Sequence, residues 1–334
     1  MKHKFIYFTL LSAGLLITMA CNKTKVGFLS PYIHYEVDPI LIPKGRNFLS
    51  AGLNGDGTSQ PYTCKVLHFY NKATGKNVDT MFAHTYPVPI WTALYDPKTD
   101  TTLALINAKR RTVDVPAIAV SPESGQITSN FGALNIPGGE YQFDLQITND
   151  AGTRIYPKIG DFILQDTSTF DAVPALGTQY NKLFEVGNEN VSILAATPIL
   201  TIVRTGDTPN AVTVQFEDKN GSFFDPSKGE IARRPNTGTP PVIPPYLQTL
   251  QDYSISYSVT SNAMIFQYVF TPFPLNSLGN GFNIYYRIPT QFVHIAGQPD
   301  GMWSMNPRFP FRLYVPGAYT ITMQFPDVTR VPGN

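Results

Sequence analysis

The sequence predicts an all-β protein built as β-sandwiches, and three observations carry that expectation. Charged residues make up 15% of the 334, against ~25% in average domains, while aromatic residues reach 13%. No long segment holds a helical period. Instead, short runs rich in β-branched and aromatic residues recur between Gly, Pro, Asn and Asp punctuation, the pattern of sandwiches rather than of alternating strands and helices. Strands are expected at 62–70, 102–107, 141–148, 191–203, 211–216, 253–260, 264–271, 282–288 and 319–325.

The N-terminus comes before any of these. Lys2 and Lys4 precede an apolar run from Phe5 to Met19, and Ala20 is the small residue before Cys21. Fifteen residues fall short of the ~20 that span a bilayer, and no stop-transfer pattern follows, so 1–20 reads as a removable signal peptide. The small-residue–cysteine junction resembles the lipobox of bacterial lipoproteins, which implies Cys21 as the lipid attachment site and a membrane tether through it. Residues 21–44 then form a tether, 45–164 a first sandwich, 165–187 a linker and 188–331 a second sandwich.

Within the first sandwich, Asn71–Gly75 reads as a hairpin connection, because a late Gly supplies positive φ cheaply. Its last strands are the most telling. Val120-Ser121-Pro122-Glu123-Ser124-Gly125-Gln126-Ile127 is followed by Pro137-Gly138-Gly139-Glu140-Tyr141, a tight entry turn. Tyr141, Phe143, Leu145 and Ile147 then share one face by period two, and Asn149–Gly152 makes the turn into the final strand. These residues resemble the closing strands of immunoglobulin-like and cadherin-like modules of bacterial surface proteins, which implies an immunoglobulin-like fold. The second half repeats both marks, Pro226-Ser227-Lys228-Gly229-Glu230-Ile231 and Pro316-Gly317-Ala318-Tyr319. Pro122 and Pro137 lie close together, whereas Pro226 and Pro316 are far apart, so the second immunoglobulin-like sandwich is expected to carry a long insertion at about 232–310. Chance similarity of two short motifs is the competing account. The insertion opens with five prolines between Arg233 and Tyr246, an extended surface loop.

Composition narrows the function classes. The net charge is +1, and losing Lys2 and Lys4 with the leader makes it −1, so nothing calls for nucleic acid. If Cys21 carries lipid, Cys64 has no partner, and alternation in Tyr62–Leu67 makes it a small buried hydrophobe. His34, His68, His84 and His294 lack zinc spacing. Asn54–Thr58 and Asp218–Ser222 look like fragments of calcium loops but want the later bidentate Glu, so turn chemistry accounts for them. No nucleophile elbow, P-loop or dinucleotide fingerprint is present, and pairs such as Glu36 and Asp38 occur by chance among 24 acids. No catalytic residue, metal or cofactor is assigned, and the chain is not expected to be an enzyme.

Candidate ligand contacts come from the aromatics. Trp91 and Trp303 are the two tryptophans, and an indole stacks on a sugar face while nearby Arg, Asn or Asp hold the hydroxyls. Trp303 reads as part of a Gly/Pro-bounded loop with Asp300, Asn306 and Arg308 close by. The bland alternative, the commoner one, packs either indole on the end of a sandwich. Tyr285 and Tyr286 are adjacent, so one must leave the core and becomes a further candidate. Tyr253, Ile255, Tyr257 and Val259 share a strand face, read as sandwich packing with an exposed binding face as the alternative.

Lipid anchor, tandem sandwiches and polar-aromatic composition together resemble the accessory lipoproteins of Bacteroidota outer membranes, some of which serve starch-utilisation-type nutrient uptake. The resemblance implies a non-catalytic outer-membrane lipoprotein that binds a glycan or another extracellular ligand, or docks with outer-membrane transport or assembly proteins. The alternative is a structural or adhesive envelope protein with a protein partner. Which side of the membrane it faces stays open.

Overall fold

Alternation in the stretch after Gly138 leads directly into the architecture. The computed structural model describes residues 27–96, 98–172, 179–233, 250–275 and 284–333; the leader, Cys21 and residues 234–249 lie outside them. Strands take 49% of the described residues and helices 9%, in several sheets with no barrel among them, so the protein is all-β and sandwich-like. It divides into two compact units, Met1–Thr85 with Pro116–Gln165, and Tyr86–Val115 with Asp166–Asn334. Residues 86–115, expected inside the first sandwich, thus group with the second unit.

The first unit contains β1 (Ile40–Pro43), β2 (Phe48–Leu49), β3 (Thr63–Asn71), β4 (Ile118–Val120), β5 (Ile127–Ser129), β6 (Gly139–Asn149) and β7 (Gly152–Gln165). One sheet has the order β1-β7-β6-β3 and another β2-β5-β4. β6 and β7 form a hairpin with Asn149 opposite Gly152, while β1 lies parallel to β7. Tyr141, Phe143, Leu145 and Ile147 are all buried, as their period predicts. Phe162 stacks on Tyr141 at 5.6 Å, and Phe69 stacks on Phe82 at 4.4 Å. A Cβ at Gly160 would collide with the Phe143 ring, so this pairing needs glycine. Cys64 is buried on β3, and burial pushes its thiol up to about 11.

The second unit contains β8 (Tyr180–Glu185), β9 (Asn188–Leu194), β10 (Ile199–Gly206), β11 (Ala211–Glu217), β12 (Ala232–Arg233), β13 (Ser256–Val259), β14 (Met264–Gln267), β15 (Ile284–Arg287), β16 (Trp303–Phe309) and β17 (Ala318–Gln324). They make two five-stranded sheets, β9-β8-β16-β15-β12 and β10-β17-β11-β14-β13. A shared core joins them, with Leu183, Tyr286, Met305 and Phe309 from the first sheet and Val214, Phe266, Ile321 and Met323 from the second. β11 runs parallel to β17. Both Pro-Gly turns end on a tyrosine that bonds four residues back: the Tyr141 hydroxyl donates to the Pro137 carbonyl at 2.9 Å, and Tyr319 donates to Val315 at 2.8 Å.

Several local expectations change. Residues 103–108 form a short helix, not a strand, because Thr102 caps it by accepting from the Leu105 N–H at 3.3 Å and Ile106 turns into the core. The stretch read as a linker contains β8, whose Asn181 is fully buried. The described part of 232–310 supplies β12 to β16, strands of both sheets rather than an appendage. Ile255, Tyr257 and Val259 lie exposed at the β13 edge, and only Tyr253 is buried.

Candidate functional site

Two clusters in the second unit bring together aromatic rings and cations. The first is built on the two-stranded ribbon of Thr85–Trp91 and Arg110–Pro116. The Thr92 N–H donates to the Lys109 carbonyl at 2.8 Å, which closes the ribbon end and sets Trp91 beside Arg110. The Arg110 guanidinium lies 4.4 Å from the Trp91 ring centroid and 5.2 Å from that of Phe270. Tyr95 stands 5.9 Å from Trp91, tilted by 40°. The connecting loop is pinned by Asp100, which takes Lys109 at 2.7 Å and the Asp96 N–H at 2.7 Å. Trp91 is 42% exposed and Leu94 91%, so the ribbon end presents apolar surface to solvent. Burial pushes the Arg110 guanidinium down to about 10, still protonated at neutral pH.

The second cluster lies on β8, β15 and β16. Register places Tyr180 and Tyr285 on either side of Arg308. The Arg308 guanidinium sits 3.8 Å from the Tyr285 centroid and within 5.6 Å of Tyr180 and Phe184. It donates to the Tyr285 hydroxyl and, at 3.3 Å, to the Tyr180 hydroxyl. Beside it Arg287 pairs with Glu189 at 2.6 Å and donates to Asn306 at 3.3 Å. This arrangement is a cation–π cage closed on itself, with Arg308 8% and Asn306 0% exposed.

The predicted contacts therefore separate. Trp303 is not in a loop: it opens strand β16 and its ring lies in the core. The alternation Trp303, Met305, Phe309 sends these side chains inward and Ser304, Asn306, Arg308 to the other face. Tyr286 also turns into the core, donating to Gln251 at 2.7 Å, while Tyr285 is the one that leaves it to join Arg308. Asp300 is exposed and pairs with His294 at 2.6 Å rather than with Trp303. Arg308, Asn306 and Tyr285 do come together, but buried. Trp91 presents its ring to solvent, as does Tyr257 at the β13 edge, and Cys21 lies outside the described residues. Arg110, Tyr95 and Phe270 were not foreseen, since no local spacing links them to Trp91.

Both clusters set aromatic faces beside guanidinium groups. Comparison with protein-family models, with curated proteins and with solved structures gives no match.

Proposed function

We propose that this chain is a non-catalytic, lipid-anchored outer-membrane protein that binds a glycan through the Trp91 surface. The exposed indole carries the reading: its ring is braced by Arg110, flanked by Tyr95 and mounted on a pinned ribbon, so little ordering remains when a sugar ring stacks on it. The leader and Cys21 support the anchor. An immunoglobulin-like first domain is favoured by β1 lying parallel to the last strand β7, and by the tyrosine that closes the turn into β6. The equivalent Tyr319 bond favours a related second domain.

Trp91→Ala in the whole chain should abolish retention by the glycans that wild type recognises on an array, with the thermal unfolding transition unchanged. Retention that survives this substitution rules the site out.

One observation favours the adhesive alternative. In the first unit Tyr35, Val37, Ile40, Leu41, Phe48 and Leu49 line a groove of about 340 Å³, with Val37, Leu41 and Leu49 more than half exposed. An open apolar groove suits a protein partner. A chain with Leu41→Glu that loses a co-purifying envelope protein, and ignores Trp91→Ala, would favour that reading.

A further inference from the structure

We infer that the Trp91–Arg110 surface selects saccharides that carry an anionic group, a uronate carboxylate or a sulfate ester, over neutral ones. The inference rests on the glycan reading above and adds the ligand's charge.

Arg110 is the starting point. Its guanidinium is wedged between the Trp91 and Phe270 rings. Its Nε is buried with no hydrogen-bond partner. Among the described residues no carboxylate forms an ion pair with it. The buried acid of the same ribbon, Asp100, is already committed to Lys109 at 2.7 Å. Taking a cation out of water without a counter-charge is costly, and ring faces return only part of that cost. Two cations of this unit are neutralised, Arg330 by Glu230 at 2.6 Å and Arg287 by Glu189 at 2.6 Å. Among the described residues Arg308 has no acid either, but its guanidinium is spent on the Tyr285 and Tyr180 hydroxyls, whereas Arg110 meets only ring faces.

A second buried polar atom lies alongside. Asn107 Oδ1 has no partner either, and with Arg110 it lines a cavity of about 20 Å³ walled by Tyr253, Tyr268 and Phe270. That volume admits a single water-sized group and no sugar ring. The ring must therefore lie outside, on the indole, with only a substituent reaching inward. A single anionic oxygen that enters the cavity meets the Arg110 donor. Of the Arg110 guanidinium only Nε is a buried unpartnered atom, and the residue is half-buried, so a substituent approaches its terminal nitrogens without unfolding the ribbon. Guanidinium groups bind carboxylate and sulfate oxygens in paired, charge-assisted bonds, which a neutral hydroxyl does not reproduce.

The test is calorimetric titration of the whole chain with two probe pairs: oligogalacturonate and dextran sulfate oligosaccharide, each with its uncharged counterpart, carboxyl-reduced oligogalacturonate and dextran. Wild type should bind at least one charged probe about tenfold or more tightly than its counterpart. That preference should weaken as NaCl rises from about 50 mM to about 500 mM. Arg110→Gln should level the two affinities, Arg110→Lys should keep part of the difference, and Trp91→Ala should remove binding of all probes. Preference for the uronate, the sulfate or both supports the inference and assigns the anion. Equal affinity for charged and uncharged probes, both lost in Trp91→Ala, overturns the inference and leaves the glycan site standing. No binding of any probe overturns both. Should Arg110→Gln fail to fold, the wild-type charge preference and its salt dependence decide the matter alone.

Discussion

Removing Arg330 should unfold the second unit far more readily than any surface change. The Glu230 side chain is fully buried behind the Pro226–Lys228 turn. Arg330 reaches it with two bonds, Nε at 2.6 Å and the terminal nitrogen at 2.8 Å, while the N–H groups of Asp225 at 2.8 Å and Gly333 at 3.0 Å complete the shell. The Arg330 N–H also donates to Asp218 at 2.9 Å, so one residue fastens the C-terminal strand Val328–Arg330 at two acids. Breaking a buried pair from one side costs about 3–5 kcal/mol, which for a unit of this size lowers Tm by roughly 6–20 °C. Arg330→Met should show that loss, whereas Arg330→Met with Glu230→Leu should recover much of it, because an apolar pair leaves no buried charge. Both tryptophans, Trp91 and Trp303, lie in this unit, so fluorescence-detected urea unfolding reports on it alone. The pH dependence fixes the sign. Burial alone would raise the Glu230 carboxyl, but the Arg330 and backbone donors outweigh it and hold it below the usual glutamate value. A carboxyl depressed in the folded state stabilises above its unfolded value of about 4.5 and loses that contribution as pH falls through the folded one. Glu230→Gln should therefore cost stability at pH 7 and flatten the decline below about pH 4.5. An Arg330→Met loss under about 1 kcal/mol at pH 7, or an acid limb unchanged in Glu230→Gln, would refute the clasp.

Three other side chains test the cores directly. With its thiol buried and pushed up to about 11, Cys64 in a Cys21→Ser chain should resist a disulfide-exchange reagent at pH 8 and react fully once denatured; prompt labelling of the folded protein would contradict the burial. Tyr141→Phe and Tyr319→Phe each delete a hydroxyl bond to a backbone carbonyl four residues upstream and should cost about 1–2 kcal/mol, read by differential scanning calorimetry; an unmoved transition in Tyr319→Phe, where the bond is buried, would show the turn does not depend on it.

What was legible depended on whether a partner was local. Tyr141, Phe143, Leu145 and Ile147 announce their face because alternation records the side on which a strand meets its core, and all four are buried. Trp303–Phe309 alternates too, but Pro307 sits in its middle and disguises it as a loop. The sheet absorbs the proline by giving up pairing on one side of it: Pro307 stays in register with Asn181 of β8, while β16 and β15 pair at Phe309–Ile284 and Arg308–Tyr285 and meet again only at a single bridge between Met305 and Ile288. A central strand with a proline is thus a strand whose neighbour tolerates a gap, which no window of sequence displays. The candidate site fails to announce itself for a related reason. Trp91 is visible as one of two tryptophans, yet its meaning comes from Arg110 across the ribbon and from Phe270, far along the chain. Ile106, between Trp91 and Arg110, is buried in the core of the second unit with Tyr95 packed against it, and residues 86–115 group with that unit. The short helix that carries Ile106 has a hydrophobic pattern that alone reads equally well as a strand.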